Sequence, residues 1–293
     1  MRSATQNIAL IAGPTASGKS ALALEMAERT GGVVVNADSM QVYDVLQVLT
    51  ARPDPEELAR ASHRLYGHVD PAQPYSTGRW LTDAAAVAND PELAGRPLIF
   101  VGGTGLYFRA LLEGLSPMPA IPDQARAHWR MRLAEEGAQA LHRELQRDDP
   151  VAAGSIGSTD GQRIVRALEV LDASGESITA LQARKGTPLV ADAACEKVLI
   201  MPERAALYGN IETRLDKMIE LGAIDEVARL RAMKLDPAMP AMKAIGVREF
   251  SMYLDGQLTL EAAVDRAKTA TRQYAKRQMT WFCNQFDNSW SIT

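Results

Sequence analysis

A phosphate-binding loop is the clearest chemical signal in the sequence. Eight consecutive residues fit the pattern G-x-x-x-x-G-K-[ST] without a mismatch: Gly13, Pro14, Thr15, Ala16, Ser17, Gly18, Lys19 and Ser20. Glycines let backbone N–H groups turn toward an anion, and the N-terminus of the helix that follows adds partial positive charge. Lys19 can neutralise phosphoryl oxygens, and the Ser20 hydroxyl can ligate a Mg²⁺ ion shared with the ligand. The loop predicts a phosphorylated ligand, but kinases and other ATP-binding or nucleotide-binding proteins share it, so the reaction stays open.

Asp38 is the acidic residue nearest this loop in the predicted sheet. It follows the apolar stretch at 33–35, and ligands of open α/β sheets bind at the carboxyl ends of strands. NTPases place a Mg²⁺-binding carboxylate after such a strand, yet the apolar stretch at 97–101 is followed by Gly102, Gly103 and Thr104. Three roles for Asp38 remain open: a metal carboxylate, a general base, or the N-terminal cap of the next helix.

The segments around the loop predict an α/β fold. Ile8–Ala12 is a short apolar run before the loop, typical of a strand buried on both faces of a parallel sheet. We expect a helix from Lys19 to about Arg29, ended by Gly31 and Gly32, and further strands at 33–35, 97–101 and 198–201. This strand–loop–helix–strand order predicts a P-loop NTPase-like core with a parallel sheet.

A change in composition predicts a second domain. Residues 123–183 are helical in composition and rich in charge, and three prolines lie between 117 and 122. We therefore expect a helical insertion domain at 120–190 within an α/β core formed by 1–119 and 191–293. From about Leu207 the sequence is again mostly helical, which predicts a helical C-terminal region.

Composition bounds the other classes of function. The 293 residues are 46% hydrophobic with a formal net charge of −4, so a nucleic-acid partner would need a local basic patch. Cys195 and Cys283 form no disulfide scaffold and show no metal-ligand spacing. The five apolar residues after position 7 are too few for a signal peptide, and no apolar stretch is long enough for a membrane span. A cytoplasmic protein is expected.

One basic patch is predicted near the end of the chain. The stretch 266–286 contains five basic residues and no acidic one. Within it Lys268, Arg272 and Lys276, here called the basic stripe, repeat at i, i+4 and i+8 and therefore share one helical face. Phosphate contacts with RNA would use such a stripe, and a solvated helix face is the alternative.

A second polar face is predicted at 162–169. Gln162, Arg163 and Arg166 crowd one side of a helix whose apolar residues, among them Ile164, would face a core. Polar side chains of this kind can read or replace the bases of an RNA loop.

Further motifs follow the phosphate loop in a fixed order. They are Asp38–Tyr43, Thr50–Pro53, His63–Leu65, Asp70-Pro71, Val101–Tyr107, Gln162–Glu169, Gly246–Arg248 and Thr271–Trp281. Together with the loop, and in this spacing, they closely resemble the bacterial tRNA dimethylallyltransferases, also called isopentenylpyrophosphate transferases. Singly only the phosphate loop is a strong signal, but jointly the set is highly specific and extends over nearly the whole chain.

The resemblance implies a reaction. A dimethylallyl group would pass from dimethylallyl diphosphate to the N6 amine of the adenosine adjacent to the anticodon, position 37 of tRNA, releasing diphosphate. Lys19, Ser20 and Mg²⁺ would then stabilise the leaving diphosphate, and Asp38 would be the general base on the amine. Thr104 matches a residue of the reaction channel, and Arg214 matches one that helps to hold diphosphate.

The resemblance also implies a surface for the anticodon stem-loop of tRNA on a monomeric protein. The residues expected on that surface are Asp38, Ser39, Met40, Gln41, Thr104, Arg126, Gln162, Arg163, Ile164, Val165, Arg166, Lys243, Arg248, Lys268, Arg272, Lys276 and Arg277. Reaching an adenine inside the loop requires its extrusion from the stack, which such side chains would assist.

One segment departs from the family's pattern. Between Tyr43 and Thr50 the family usually has two glycines and an aspartate, as in G-x-D-I-G-T, whereas this chain has Val45-Leu46-Gln47-Val48-Leu49. The exchange restricts the backbone and removes a charge. The resemblance therefore does not predict the conformation of this loop.

Two other classes of function remain as alternatives. A P-loop small-molecule kinase would use the same phosphate loop, but it gives no reason for the basic stripe. A non-catalytic RNA-binding module would need neither the phosphate loop nor Asp38.

Overall fold

The computed structural model describes residues 7–191 and 195–293. The start of the chain, from which the lack of a signal peptide is inferred, lies largely outside the described residues. The chain divides into two compact units: unit 1 is formed by the segments up to Leu112 and from Leu189 onward, and unit 2 is Glu113–Pro188. Unit 2 thus begins before, and ends close to, the limits of 120 and 190 expected from the sequence.

Unit 1 is built on a parallel sheet. Its strands are β1 (Ile8–Ala12), β2 (Val33–Asn36), β3 (Ser62–Arg64), β4 (Leu98–Gly102), β5 (Cys195–Leu199) and β6 (Ser291–Ile292). Their order is β3-β2-β4-β1-β5-β6, and every neighbouring pair is parallel. The predicted α/β class with a parallel sheet is confirmed. The strand expected at 198–201 lies at 195–199, and β3 and β6 are additions that the sequence did not indicate.

The helices follow the expected division of the chain. They are α1 (Lys19–Thr30), α2 (Pro55–Arg60), α3 (Thr77–Ala88), α4 (Gly105–Glu113), α5 (Asp123–Glu136), α6 (Ala138–Asp148), α7 (Pro150–Ser155), α8 (Gly161–Ser174), α9 (Ile178–Gln182), α10 (Arg204–Glu220), α11 (Ala223–Ala232), α12 (Val247–Leu254) and α13 (Leu260–Gln285). Gly31, with φ 66°, ends α1 in the left-handed region, as its lack of a side chain allows. No described helix combines the length and apolar character that crossing a membrane requires.

Alternation along the central strands fills two core layers. On β1, Leu10 and Ala12 belong to one cluster of buried apolar residues, while Ala9 and Ile11 belong to another. The second cluster includes Ala23 of α1, which packs on that face. Because both faces are covered, the strand has no polar side, which explains its continuous apolar sequence.

The two chain segments of unit 1 meet where unit 2 is inserted. Leu189 and Val190 both donate backbone hydrogen bonds to the carbonyl of Leu111, each at 3.0 Å. The insertion therefore leaves and re-enters unit 1 at a single point.

Unit 2 is helical throughout its regular structure and has its own core. Leu141 and Leu145 of α6 pack with Ile164 and Leu168 of α8, and all four side chains are buried. Spacings of four residues place each pair on one helical face, which gives the amphipathic pattern expected of a small helical domain.

Candidate active site

The phosphate loop joins the end of β1 to the start of α1. Gly18 has φ 87°, a conformation that favours glycine, and a Cβ on Gly13 would lie 2.9 Å from the carbonyl oxygen of Ile200. Lys19 Nζ donates to the carbonyl of Pro14 at 3.0 Å. The Ser17 hydroxyl oxygen is buried and has no hydrogen-bond partner among the described residues. A donor without a partner in a turn of inward N–H groups is suited to an anion.

Gln278 of α13 fixes this loop to the neighbouring strand end. Its side-chain oxygen accepts the backbone N–H of Thr15 at 2.9 Å, and its amide nitrogen donates to the carbonyl of Gly103 at 2.9 Å. Gln278 was not predicted as a site residue. A helical wheel of α13 places Gln278 on the same buried face as Thr271 and Phe282. A polar side chain on that face is the sequence feature that could have indicated its role.

Asp38 lies at the carboxyl end of β2, beside the end of β4. A Cβ on Gly102 would overlap the backbone of Ala37, so only glycine allows the two strand ends to approach this closely. Thr104 Oγ1 accepts the backbone N–H of Ser39 at 2.9 Å. The adjacency of β2 and β4 thus brings together Asp38 and Thr104, which are far apart in sequence.

The Asp38 carboxylate is held by its own turn. Its Oδ1 accepts the backbone N–H of Met40 at 2.9 Å, and the buried Asn36 side chain accepts the N–H of Asp38 at 2.8 Å. The next helix, α2, begins only at Pro55, so no helix starts at this turn. The alternative role of Asp38 as a helix cap is therefore wrong.

A cavity of about 330 Å³ opens beside Asp38. Its lining residues are Thr15, Asp38, Ser39, Met40, Leu49, Thr50, Ile211, Arg214, Leu215, Met218, Lys243, Ala244, Ile245, Thr271, Tyr274 and Arg277. One part of the wall is polar, and Arg214 there donates a hydrogen bond to the Thr15 hydroxyl of the phosphate loop. Another part is apolar, formed by side chains such as Leu49 and Met218. The cavity therefore suits a ligand with an anionic and a hydrocarbon portion.

Burial lowers the pKa values of two cations beside the phosphate loop, Lys19 and Arg214. Loss of hydration lowers the pKa of the Lys19 ammonium from 10.5 to about 8; the Asp38 carboxylate opposes this shift, and Arg214 adds to it. Burial also lowers the pKa of the Arg214 guanidinium, again opposed by Asp38. Two desolvated cations thus share one carboxylate, and an arriving anion would restore the charge balance.

The donor set for a metal ion is incomplete without a ligand. In residues 7–191 and 195–293, no group of three or more His, Cys, Asp and Glu side chains is placed to hold a metal. The Ser20 hydroxyl is exposed at the first turn of α1. Mg²⁺ is usually held by one or two protein oxygens together with substrate phosphates and water. These residues fit a Mg²⁺ ion that is bound jointly with a phosphorylated ligand.

The basic stripe on α13 is partly neutralised. Lys268 pairs with Asp216 at 2.7 Å, and Arg272 pairs with Glu212 at 2.9 Å, so α10 supplies two acidic partners. Lys276 forms no ion pair within the described segments. The same is true of Arg277, whose guanidinium lies over the Tyr274 ring.

The predicted tRNA residues of unit 2 separate into two groups. Gln162 and Arg163 are exposed at the start of α8, and Arg166 is half-buried beside Glu169, at 3.4 Å. By contrast, Ile164 and Val165 are only 0% and 6% exposed. Helical periodicity turns these two side chains into the core of unit 2, so the expected contact of Ile164 and Val165 with tRNA stays a prediction that their side chains do not support.

Other predicted residues have varied surroundings. Lys243 lines the cavity, and Arg248 is exposed on α12. Gln41 donates from its side-chain amide to the carbonyls of Thr50 and Ala51, each at 2.9 Å, so it supports the loop that departs from the family's pattern. Arg126 lies exposed on α5, 3.9 Å from Asp123.

The fold and this site define a P-loop protein in which a phosphate loop and a strand-end carboxylate open onto one cavity. The chain belongs to the IPP transferase family, whose model matches residues 41–285; the isopentenyl transferase model matches residues 6–71. It is 60% identical over 281 residues to a tRNA dimethylallyltransferase of Chelativorans sp. strain BNC1, covering 96% of each chain.

Solved structures agree with this assignment. The tRNA isopentenylpyrophosphate transferase of Bacillus halodurans superposes with a TM-score of 0.69 at 32% identity, covering 99% of this chain and 90% of that chain. A eukaryotic dimethylallyltransferase acting on tRNA gives a TM-score of 0.76 at 26% identity, covering 95% of this chain and 70% of that chain. The resemblance drawn from the motifs is confirmed, and relatives of this kind do not support the kinase alternative.

Proposed function

We propose that this chain transfers the dimethylallyl group of dimethylallyl diphosphate to the N6 amine of adenosine 37 in tRNA and releases diphosphate. The relatives named above support transfer of a prenyl group to tRNA. The observation that favours this chemistry at this site is that Asp38 shares one cavity with Arg214 and with Thr15 of the phosphate loop. A base for the acceptor and cations for the leaving group are thus neighbours.

The proposed step forms one bond and breaks another. The N6 nitrogen attacks the first carbon of the dimethylallyl group as the bond from that carbon to the diphosphate oxygen breaks. The bonding pair leaves with diphosphate, where Lys19, Arg214 and the N–H groups of the phosphate loop stabilise the added charge. The N6 proton passes to the Asp38 carboxylate, which in turn returns it to water.

A magnesium ion would be held by the Ser20 hydroxyl together with the substrate phosphates. When bound, it supplies further positive charge for the leaving diphosphate. Asp38 is kept for the base role in this proposal, because its Oδ1 is already engaged with Met40 N–H and its second oxygen remains for the acceptor.

The tRNA would be held by exposed polar groups, one of which, Arg277, also lines the cavity. Lys276 and Arg277 of α13 are exposed and form no ion pair within the described segments, and Gln162 and Arg163 are exposed on α8. The target adenine must leave its stack to reach Asp38. We expect the protein to act as a monomer on tRNA in the cytoplasm.

Labelled dimethylallyl diphosphate, Mg²⁺ and an anticodon stem-loop with adenosine at position 37 test this proposal directly. We expect label on the RNA and release of diphosphate, and no label when that adenosine is replaced by guanosine. ATP with the same RNA should give no phosphate transfer. Phosphate transfer from ATP, or an unlabelled adenosine stem-loop, would refute the proposal.

A further inference from the structure

Glu226 of α11 binds three successive backbone N–H groups of a distant loop. Its Oε1 accepts from Gln47 at 3.1 Å and from Val48 at 2.8 Å, and its Oε2 accepts from Leu49 at 2.9 Å. The residue is only 3% exposed. These three loop residues belong to the segment 45–49, in which the chain departs from the family's pattern.

The arrangement is costly unless the carboxylate is fully bound. Its neighbours on α11, Val227 and Leu230, are buried in an apolar cluster that also contains Leu46 and Leu49. A buried carboxylate without partners would be strongly unfavourable, whereas charge-assisted bonds from several N–H groups compensate its loss of hydration. Successive N–H groups that converge in this way form a concave anion site, which here is filled by a side chain of the same protein.

The loop held by Glu226 forms part of the cavity wall. Leu49 and Thr50 both line the cavity that contains Asp38. Leu49 also fits against Gly246, where an added Cβ would lie 2.7 Å from its Cδ1 atom. Just after these residues, the Gln41 side-chain amide donates to the carbonyl of Thr50. The loop is therefore held at two successive places, by a carboxylate on the N–H groups of 47–49 and by an amide on the carbonyl of Thr50.

We propose that Glu226 is a positioning residue for the transfer reaction. By holding residues 47–49 it sets where Leu49 and Thr50 stand in the cavity, and hence how the acceptor adenine meets the donor. Glu226 is not among the residues that line the cavity, so it would act through the loop and not on the substrate itself. The inference rests on the proposed function, since the cavity must be where transfer occurs.

Glu226→Gln tests the inference with nearly unchanged shape. The amide has one oxygen and one NH₂ group, so at least one loop N–H loses its acceptor and meets a donor instead. We expect kcat for transfer to fall about tenfold or more while KM for dimethylallyl diphosphate changes less than about threefold, because the phosphate loop is untouched and misplacement at the reacting centre affects the rate more than donor binding. Asp225→Asn is the matched control: it removes one charge from the exposed neighbouring position of α11, and it should leave kcat unchanged.

Hydrogen exchange distinguishes positioning from general damage. In Glu226→Gln the amides of Gln47, Val48 and Leu49 should exchange at least about tenfold faster, with the amides of β1 and β4 unchanged. Faster exchange across the whole chain together with lower activity would instead show a merely structural role and overturn the inference. So would a variant that keeps the wild-type kcat.

The wild-type protein provides a measurement that does not depend on the variant folding. The three amides should be protected from exchange, and rates typical of open loops would overturn the inference by themselves. Failure of the proposed function would be seen separately, as a wild-type chain that prenylates no stem-loop whatever the exchange rates are.

Discussion

Two sets of cations in unit 1 differ in what surrounds them. Around the phosphate loop, Lys19 and Arg214 are desolvated, and both are influenced by the same carboxylate, Asp38. On α13, Lys268 and Arg272 are each paired with an acidic residue of α10 whose side chain is at least half exposed. Lys19 and Arg214 thus have one nearby carboxylate between them, whereas Lys268 and Arg272 have one carboxylate each.

The difference shows why counting charges on a helix face is a weak guide to binding. An exposed ion pair contributes little to stability, but it must be given up or rearranged before either cation can neutralise a phosphate. A desolvated cation with a lowered pKa gains from any anion that reaches it. Ligand binding should therefore depend far more on Lys19 and Arg214 than on Lys268 and Arg272.

The largest effect should come from the carboxylate shared by the first set. Asp38→Asn keeps the size of the side chain and an oxygen for Met40 N–H, but it cannot take the N6 proton. We expect transfer to fall by about 10²–10⁴-fold. Affinity for dimethylallyl diphosphate should not decrease, because the change adds net positive charge. Near-normal turnover measured with labelled donor would show that Asp38 is only structural.

Removing one charge from each set compares them directly. Lys19→Ala should lower transfer by at least about a hundredfold, the scale of losing a preorganised charge at the leaving group. Arg272→Ala removes the same charge from an ion-paired position and should change transfer less than about threefold. Steady-state transfer rates of the two variants test this difference. Equal losses of transfer activity in both would show that the two sets of cations do not differ in their contribution.

The lowered pKa of Lys19 makes donor binding depend on pH. Above about 8 the free ammonium loses its proton, whereas a bound diphosphate adds negative charge and holds the proton on. Binding therefore takes up a proton in this range, and affinity should fall with rising pH by up to about tenfold per unit. Calorimetric titrations with inorganic diphosphate would show this fall, and Lys19→Arg should abolish it. If the affinity for diphosphate were constant across this pH range, bound diphosphate would not affect the protonation of Lys19.

The smallest effects should separate the α13 cations Lys268 and Arg272, which have acidic partners, from Lys276 and Arg277, for which the described residues supply none. The double variant Lys276→Ala/Arg277→Ala should make the slope of log affinity for tRNA against log salt shallower by about one to two units. Lys268→Ala/Arg272→Ala should change the slope by less, since these cations already hold acidic partners. Identical slopes for both doubles would mean that the ion pairs open freely when RNA binds.

The sequence predicted the parts of the molecule that depend on local pattern. β1, α1, β2 and β4 lie where apolar runs and glycines placed them, and the phosphate loop lies between the first two. The strands β3 and β6, of three and two residues, are too short to show any periodicity. Their positions are fixed by pairing with neighbours in the sheet, which no local pattern indicates.

The features missed in the site depend on contacts between distant segments. Lys268 and Arg272 meet acidic partners 52 and 60 residues earlier in the chain. Gln278 reaches Thr15 across 263 residues, and Glu226 reaches Leu49 across 177. Each of these polar residues would be taken for an ordinary helix residue until the partner's place in the fold is known. Residue type and spacing predicted the candidate reacting groups, whereas only the long-range hydrogen bonds of the fold show which residues hold the surrounding loops in place.

The insertion of unit 2 also bears on how such an enzyme can change over time. The segments that leave and return to unit 1 are hydrogen-bonded to each other at Leu111, so their ends lie side by side whatever chain is inserted between them. Closing a loop of any length between adjacent ends costs an entropy that grows only with the logarithm of its length. Residues 113–188 can therefore lengthen, shrink or be exchanged with little demand on the sheet order, while the site residues of unit 1 keep their positions.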